Sequence, residues 1–587
     1  MNEPNGFFTQ APTLSFMDSG EFGILQYSFT AAVPNNSNIY YFIYITAGTV
    51  ESREEIEASG TRISKTFIEH GEPFFFAVEE SQVYSAVVVA VDVIGGDRAY
   101  SVVQHAAIAE WEAPDWEGPF IYYSDFGAVG DGVTDDFDAL FAAHEAANAQ
   151  GLKVRADADA VYYIGDTART VRIQTSTDWN TARFIIDDTA VSDNRSVIIF
   201  RVESSFGEIN LTGSLQTLRK NQEKIDLEFE RDMLIFAADA NTLFYRRFSG
   251  GGSSAMNDAF RVDKNGYVDQ NTPILWDFDN ITSLIAYPID EDTLYILGGR
   301  FSTIANRTLL DVYFNRGLEI RRSNVIVERL RHNVTNNNIS VPYNGFLRTS
   351  RCTDIIIRDT VLTGQRQAVH GSYGFAAYST LNLSLINVSQ TNDINDTNFW
   401  GIMGANDCKN ILFDNVRFSR FDVHRSVHNV TIKNSRIGHQ GILVTGSGTL
   451  RIENTIVSSR SNFLSFRGDW GSTWNGDVYV IDSIYDPFGS SIGNFVVFRF
   501  DNDGMHDFGF PTYMPRTITV DRFTIHDRNA LSPVIMFSES GHSHSGQELF
   551  PYHITEEFRV SNLTITSGNH YTIPNLYVRN NMQVVNF

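Results

Sequence analysis

The residues best suited to chemistry crowd into one stretch, Asn398 to Gly441. It holds Trp400, Asp407, Arg420, Asp422, His424, Arg425, His428 and His439, and Asp393 and Asp396 lie just ahead of it. Asp393, Asp396 and Asp422 could supply two carboxyls for glycosidic-bond hydrolysis. One of them would have to stay protonated, by an apolar or like-charged neighbour, to push out the leaving oxygen. A separation of about 5 Å suits retention, and a wider one suits inversion. The same stretch also suits β-elimination beside a uronate. His424 or His439 would take the proton, and Arg420 or Arg425 would neutralise the carboxylate. Trp400, Tyr378 and Phe399 offer flat faces for sugar rings, with Arg425 beside them, and Arg366, His370 and Tyr373 line the preceding segment. A purely structural account competes with this one. Corner Asp and Asn side chains bond their own turn, Arg420 and Asp422 form an ion pair, and His424 is a satisfied buried histidine.

These residues sit inside a repeat. From Val325 to Ile565 the chain keeps returning to an alternating apolar run closed by a polar corner: Asn324-VIVERL, Asp354-IIIRDTVL, Asn382-LSLINV, Asn410-ILFDNVRF, Asn429-VTIKNSRI and Thr449-LRIENTIV. The first residues of these runs lie 30, 28, 28, 19 and 20 positions apart. Alternation is the period of a strand, and a strand recurring at such intervals means a solenoid. No repeat carries a helical stripe. Each coil adds a strand about 4.8 Å from the last, so equivalent positions stack in ladders. Ile355, Ile411 and Val430 should then share one interior column, with Asn and Asp at the turns. The register predicts two stacked pairs. Arg420 and His439 lie ten past Asn410 and Asn429, and Asp396 and His424 lie 14 past Asn382 and Asn410.

Residues 1–110 alternate in short runs broken by turn residues, which reads as a separate β-sandwich. Its end, YSAVVVAVDVIGGDRAYS from Tyr84, resembles the late strands of fibronectin type III domains. Residues 111–120 hold Pro and Trp and read as a linker. Asp125-FGAVGDGVTDD then enters a glycine turn, and Thr134 or Asp135 caps an amphipathic helix with Ala139, Leu140, Ala143 and Ala147 near one face. Such a helix plugs the first coil, which otherwise exposes apolar side chains and unpaired backbone.

DFGAVGDGVTDD resembles the opening of pectate-lyase-superfamily, right-handed parallel β-helix proteins, common among phage tailspikes. A Pro-x-Gly-x-Tyr strand usually follows it, where this chain has ADADAVYYI from Ala156. Gly298-GRFSTIANR and the Trp400–Gly441 block also resemble phage tail β-helix segments. The resemblance implies an all-β fold: a small sandwich at 1–110, the linker, then a capped parallel β-helix over 121–570 with an irregular early part at 165–315, and a tail at 571–587. It also implies a virion tail protein, made in the host cytoplasm. That protein would be a homotrimer, would bind and depolymerise a bacterial surface polysaccharide, and would join other tail proteins through its first domain. A non-catalytic receptor-binding or structural tail protein is the alternative, and a free pectate-lyase-like enzyme is a third reading.

Composition narrows the classes. Lys and Arg number 45 against 70 Asp and Glu, a net charge of −25, which disfavours a nucleic-acid partner. An acidic polysaccharide would need local Arg or Lys. No apolar run reaches the length of a membrane span, and MNEPNGFFTQ lacks the pattern of a secretory signal. Cys352 and Cys408 precede equivalent strands by the same offset, which puts them two coils and about 10 Å apart, too far for a disulfide. The spacing His542/His544 is a weak metal pair. No metal, cofactor or phosphate-loop motif is read from the chain.

Overall fold

The computed structural model describes residues 7–586 except 20–22, 37, 67–69, 72–73, 79–81, 109–115, 245–253, 336–340, 369–370, 401–402, 461, 468–472, 488–495, 501–511, 528–531, 539–551 and 575–581. Among these described residues, 31 strands join one stack in which the strand pairings are parallel. The coil that begins at Leu294–Leu297 runs on through Arg300–Ile304 and Leu318–Ile320. Each of the three lies on its counterpart in the next coil, Val325–Glu328, Arg331–Thr335 and Asn344–Ser350. The interior column expected from the repeat is present. Val325, Ile355, Leu383, Ile411, Val430, Leu450, Val478, Ile518 and Phe558 pair in succession. All nine are buried, and full burial of one such side chain contributes about 1.5–3 kcal/mol. Aromatic steps stack too, as with Phe466 over Phe500 at 4.7 Å.

The corners explain why Asn and Asp recur. Asn324, Asp354, Asn382, Asn410 and Asn429 all have φ between 49° and 62°, the left-handed region that Asn tolerates best after Gly. Their side chains link coil to coil: Asn382 Nδ2 donates to Asp354 Oδ1 at 2.9 Å, Asn410 to Asn382 at 2.9 Å and Asn429 to Asn410 at 3.0 Å. A second ladder runs beside it. Asn387 donates to Asp359 at 3.0 Å and Asn415 to Asn387 at 2.9 Å. Both cysteines are free and buried, with Cys352 Sγ 3.9 Å from the Thr380 hydroxyl of the next coil.

The plug is the helix Phe137–Gln150, which buries Phe137, Ala139, Leu140, Ala143, His144 and Ala147. Asp136 is its cap residue, and neither Thr134 nor Asp135 takes that place, although Asp135 Oδ1 accepts the Phe137 N–H at 3.0 Å. Beneath it, the Tyr123 hydroxyl meets His144 Nε2 and accepts the Trp179 Nε1–H, each at 2.9 Å.

Two bodies flank the stack. The first is a sandwich. Leu14–Asp18, Ile24–Phe29 and Phe74–Ala77 make one antiparallel sheet, and Ile39–Ala47, Thr61–Thr66, Val83–Asp92, Arg98–Tyr100 and Gln104–Ala107 make the other. Their inner faces close on Leu25, Tyr41, Ile43 and Val88. In the linker Trp116 packs against Tyr295 and the Lys153 ammonium, while Trp111 lies outside the described residues. The second body interrupts the early coils between Phe200–Val202 and Leu294–Leu297. It is an antiparallel sheet of Ile209–Asn210, Met233–Phe244, Ser254–Val262 and Ser283–Pro288 with its own core around Ile235, Phe260 and Phe278. The charged stretch RKNQEKIDLEFERD, which begins at Arg219 and whose sequence suits a surface hairpin or a short helix, is neither. It crosses this sheet in turns, bridging Leu218 to Phe278 and Lys224 to Tyr267. At the other end, Tyr571–Thr572 and Gln583–Asn586 still pair in parallel with the preceding coil, so the stack runs on past 570.

At Asn387 (φ 55°) the side chain both donates and accepts a ladder bond. Asn387→Ala should lose the bonds and add left-handed strain, costing about 2–4 kcal/mol, whereas Asn387→Gly keeps the backbone and should cost about half as much. Urea unfolding of both variants checks the order, and equal losses would contradict it.

Candidate functional site

A groove of about 830 Å³ runs between the sandwich and the stack. Its stack wall is the loop 391–400, which leaves strand Leu381–Gln390 and returns to Met403–Asp414. The loop is tightly held. Gly364 N–H donates to Asn392 Oδ1 at 3.0 Å, Gln367 N–H to Asn398 O at 2.9 Å and Trp400 N–H to Gln365 O at 2.6 Å. From the following coil, His439 N–H donates to Ile394 O at 3.1 Å. Only glycine fits at 438, because a Cβ there would lie 1.9 Å from Ile394 O. Asp393, Asp396 and Phe399 line the groove, with Arg366, Asn395, Asn398 and Arg460. The Arg366 guanidinium sits 5.4 Å over the Phe399 ring.

The facing wall is the sandwich, which supplies Arg62, Gln82 and Tyr84 among others. It is seated on the stack by apolar and polar contacts. Ile24 and Ala77 cluster with Val361, and the Arg436 guanidinium lies 5.5 Å over Phe74. Ser64 N–H donates to Asp393 Oδ2 at 3.2 Å across 329 residues of chain, while Asn395 N–H donates to Asp393 Oδ1 at 3.0 Å. Burial pushes the Asp393 carboxyl above its ordinary range, against the pull of Lys65 and of these two backbone N–H groups, and Asp396 adds to the rise. Asp396 is half-buried, and its Oδ1 accepts from Asn398 N–H at 2.9 Å.

The other sequence candidates lie elsewhere. Asp422 is fully buried, with Arg420 Nη2 2.8 Å from one oxygen and Arg467 Nη1 2.5 Å from the other. The Arg420 guanidinium stacks 4.9 Å over Trp400, so these residues form an ion cluster behind the loop. Arg425 binds Asp407 and the Ser254 hydroxyl of the inserted sheet. Tyr378 donates its hydroxyl to Asn344 Oδ1 at 2.8 Å under the Arg348 guanidinium. The insert docks on this face, where Lys409 meets Asp258 at 2.7 Å. The side chain of His424 and residue His370 lie outside the described residues, as do His542 and His544.

The expected stacking fails at a bulge. Phe418 pairs with Ile437, but Arg420 then pairs with Gly441, which leaves His439 looped between them. His439 therefore turns to the 391–400 loop, where Asp396 is one of its charged neighbours; the expected pairing of Asp396 with His424 falls on a side chain outside the described residues. His439 Nε2 lies 3.0 Å from Phe399 O, so that nitrogen carries the proton and donates. Burial holds the ring below its usual value and keeps it neutral near pH 7, with Arg460, Asp396 and Arg420 as its charged neighbours. This histidine braces the loop from behind. The sandwich residues Arg62, Gln82 and Tyr84 were not legible as site residues, because nothing in a repeat reading brings a preceding domain onto a coil wall. Arg460 closes an ordinary corner and carried no signal.

No family model matches the chain, and no curated protein matches it. Solved structures do. The Pseudomonas phage phi297 tailspike gp61 is 11% identical, with 78% of this chain and 82% of that chain covered and a TM-score of 0.49. The Gp54 tailspike of Acinetobacter baumannii bacteriophage AP22, solved in complex with A. baumannii capsular saccharide, is 10% identical over 79% of each chain, TM-score 0.46. PfbA, a surface adhesin of Streptococcus pneumoniae, is 10% identical over 76% of this chain and 85% of that one, TM-score 0.36. Likenesses this remote assign no activity.

The His439 ring gives a pH signature. The unfolded ring takes its proton near 6.5, while the folded one resists until a lower pH. Its stabilising contribution is therefore whole above 6.5 and is lost as the pH falls through the window below it. His439→Gln, which can still donate to Phe399 O, should flatten the fall of the unfolding midpoint between about pH 7 and pH 5. An unchanged slope would contradict this role.

Proposed function

We propose that this is a phage tailspike- or tail-fibre-type protein whose groove binds a bacterial surface polysaccharide. The observation that carries the reading is the groove itself: about 830 Å³, open along the stack and lined by carboxylates, amides, guanidiniums and the Phe399 ring. That volume is in the range of sites that enclose a few sugar rings, and a rigid stack holds its lining groups in place. The sugar faces would meet Phe399, and the hydroxyls would meet Asn395, Asn398 and Asp396. The DFGAVGDGVTDD opening and the coil sequences support the same reading through their resemblance to right-handed phage tail β-helices. We read the sandwich as fibronectin type III-like, on its YSAVVVAVDVIGG ending and its pairing of a three-stranded sheet with a larger one. A homotrimer in the virion tail completes the proposal.

The stronger form of the reading is depolymerisation. Asp393 and Asp396, on one loop, are the two carboxyls this form would use, with burial raising Asp393 against the two backbone N–H groups its oxygens accept. His439, the base of the elimination route, is turned to Phe399 O behind the loop, so hydrolysis is the form of cleavage the groove favours. Asp422, locked between two arginines, belongs to the frame in either case.

The test is to incubate the full chain with capsule and lipopolysaccharide preparations from a host panel. Retained polysaccharide, new reducing ends and unsaturated-uronate absorbance are then measured. Binding is expected throughout the reading, reducing ends mark hydrolysis, and absorbance marks elimination. Binding with neither leaves a receptor-binding protein, and no binding sinks the proposal. If cleavage occurs by hydrolysis, Asp396→Asn and Asp393→Asn should each lower it about a hundredfold or more with binding kept. Asp422→Asn should lower stability by about 3–5 kcal/mol, since it leaves buried arginines short of charge.

A further inference from the structure

We infer that the N-terminal sandwich is a working wall of the glycan site and that the glycan gripped there is acidic. The inference rests on the reading of the groove given above and adds to it the side from which the ligand is held and the charge it carries. The sandwich is not a bead on a linker. Its strands Thr61–Thr66 and Phe74–Ala77 face the coils, fixed by Ile24 and Ala77 on Val361, by Phe74 under Arg436 and by the Ser64–Asp393 bond. Arg62 and Gln82 therefore stand at fixed places opposite Arg366 and Phe399.

The charges of the groove are unevenly engaged. Both oxygens of Asp393 are occupied by backbone N–H groups, and Asp396 Oδ1 takes both the N–H and the side-chain amide of Asn398. The arginines differ. Arg62 lies 5.3 Å over Phe42 and Arg366 5.4 Å over Phe399, and neither makes an ion pair with a carboxylate of the described residues. A guanidinium resting on a ring is held flat and keeps its N–H edge for a planar, two-pronged partner, which a carboxylate is. Two such groups on opposite walls, in a chain of net charge −25, are a local exception to a surface that repels polyanions. A sugar acid lying between them would have its carboxylate met from the stack by Arg366 and from the sandwich by Arg62. Its ring would rest on Phe399.

The experiment uses the full chain on an array of bacterial capsular and lipopolysaccharide glycans, acidic and neutral, read at low salt and at about 0.5 M salt. Glycans bearing uronate or sialate should bind, and the higher salt should weaken them. Arg62→Ala, an exposed change in the sandwich, should weaken binding about tenfold or more with an unchanged unfolding midpoint, and Arg366→Ala should do the same. Neutral glycans bound in preference to acidic ones, or acidic binding indifferent to Arg62→Ala, would overturn the inference and leave the groove reading standing. An array with no bound glycan at all would remove the groove reading, and this inference with it.

Discussion

A left-handed backbone corner, repeated on coil after coil and tied to its neighbour by a side-chain amide, is the constraint on which the molecule depends. The conformation costs most residues about 1–2 kcal/mol and, among those with a side chain, costs Asn least. Asn also offers a donor and an acceptor on one short arm, so a column of asparagines can pass a hydrogen bond along without end. The direction of these bonds explains the exceptions. In both ladders each Asn donates toward the earlier coil, and the first position of the linked run is an Asp, Asp354 in one and Asp359 in the other. A carboxylate can only accept, which is all that a first rung requires. The charge it brings is used as well, for Asp354 takes Arg261 of the inserted sheet at 3.0 Å.

With the corners fixed, apolar side chains have one place to go, and the columns form. This is why the regular part of the fold was legible in the sequence. Alternation gave the strands, and Asn and Asp gave the corners. The interval between repeats gave the column that holds Ile355, Ile411 and Val430. What was not legible has a single physical cause: a repeat reading assumes equal coils. A bulge after Phe418 slides the register and sends His439 to a different partner. The inserted sheet, expected only as an excursion from the early coils, builds a separate core while the stack pairs straight across it, Thr177 to Ile296, Phe184 to Phe301 and Phe200 to Leu318. The sandwich meets the stack through contacts that no local spacing encodes.

The candidate site was legible in its parts more than in its plan. The polar density between Asp393 and His439 is real, but it serves three ends. Asp393, Asp396 and Phe399 face the groove. Arg420 and Asp422, with Arg467, make the buried ion cluster that supports the loop from within. Arg425 and Asp407 help clamp the insert. Charged residues cluster where a loop departs from a solenoid because the departing backbone leaves polar groups without ladder partners. Some of that density satisfies the departure, and what remains is free to meet a ligand. Composition alone cannot divide the two, and the distances do.

The seat of the sandwich also bears on how the protein is made. Residues 7–108 leave the ribosome before the coils and hold their own core, but Phe74 must wait for Arg436, and Ile24 for Val361. At ordinary rates of synthesis about 360 residues take roughly 20–70 s. For that interval the sandwich is a finished piece without its socket, showing the ribosome and its chaperones the face that later lines the groove. The groove first exists only once the coils that carry Val361 and Arg436 have been made and stacked.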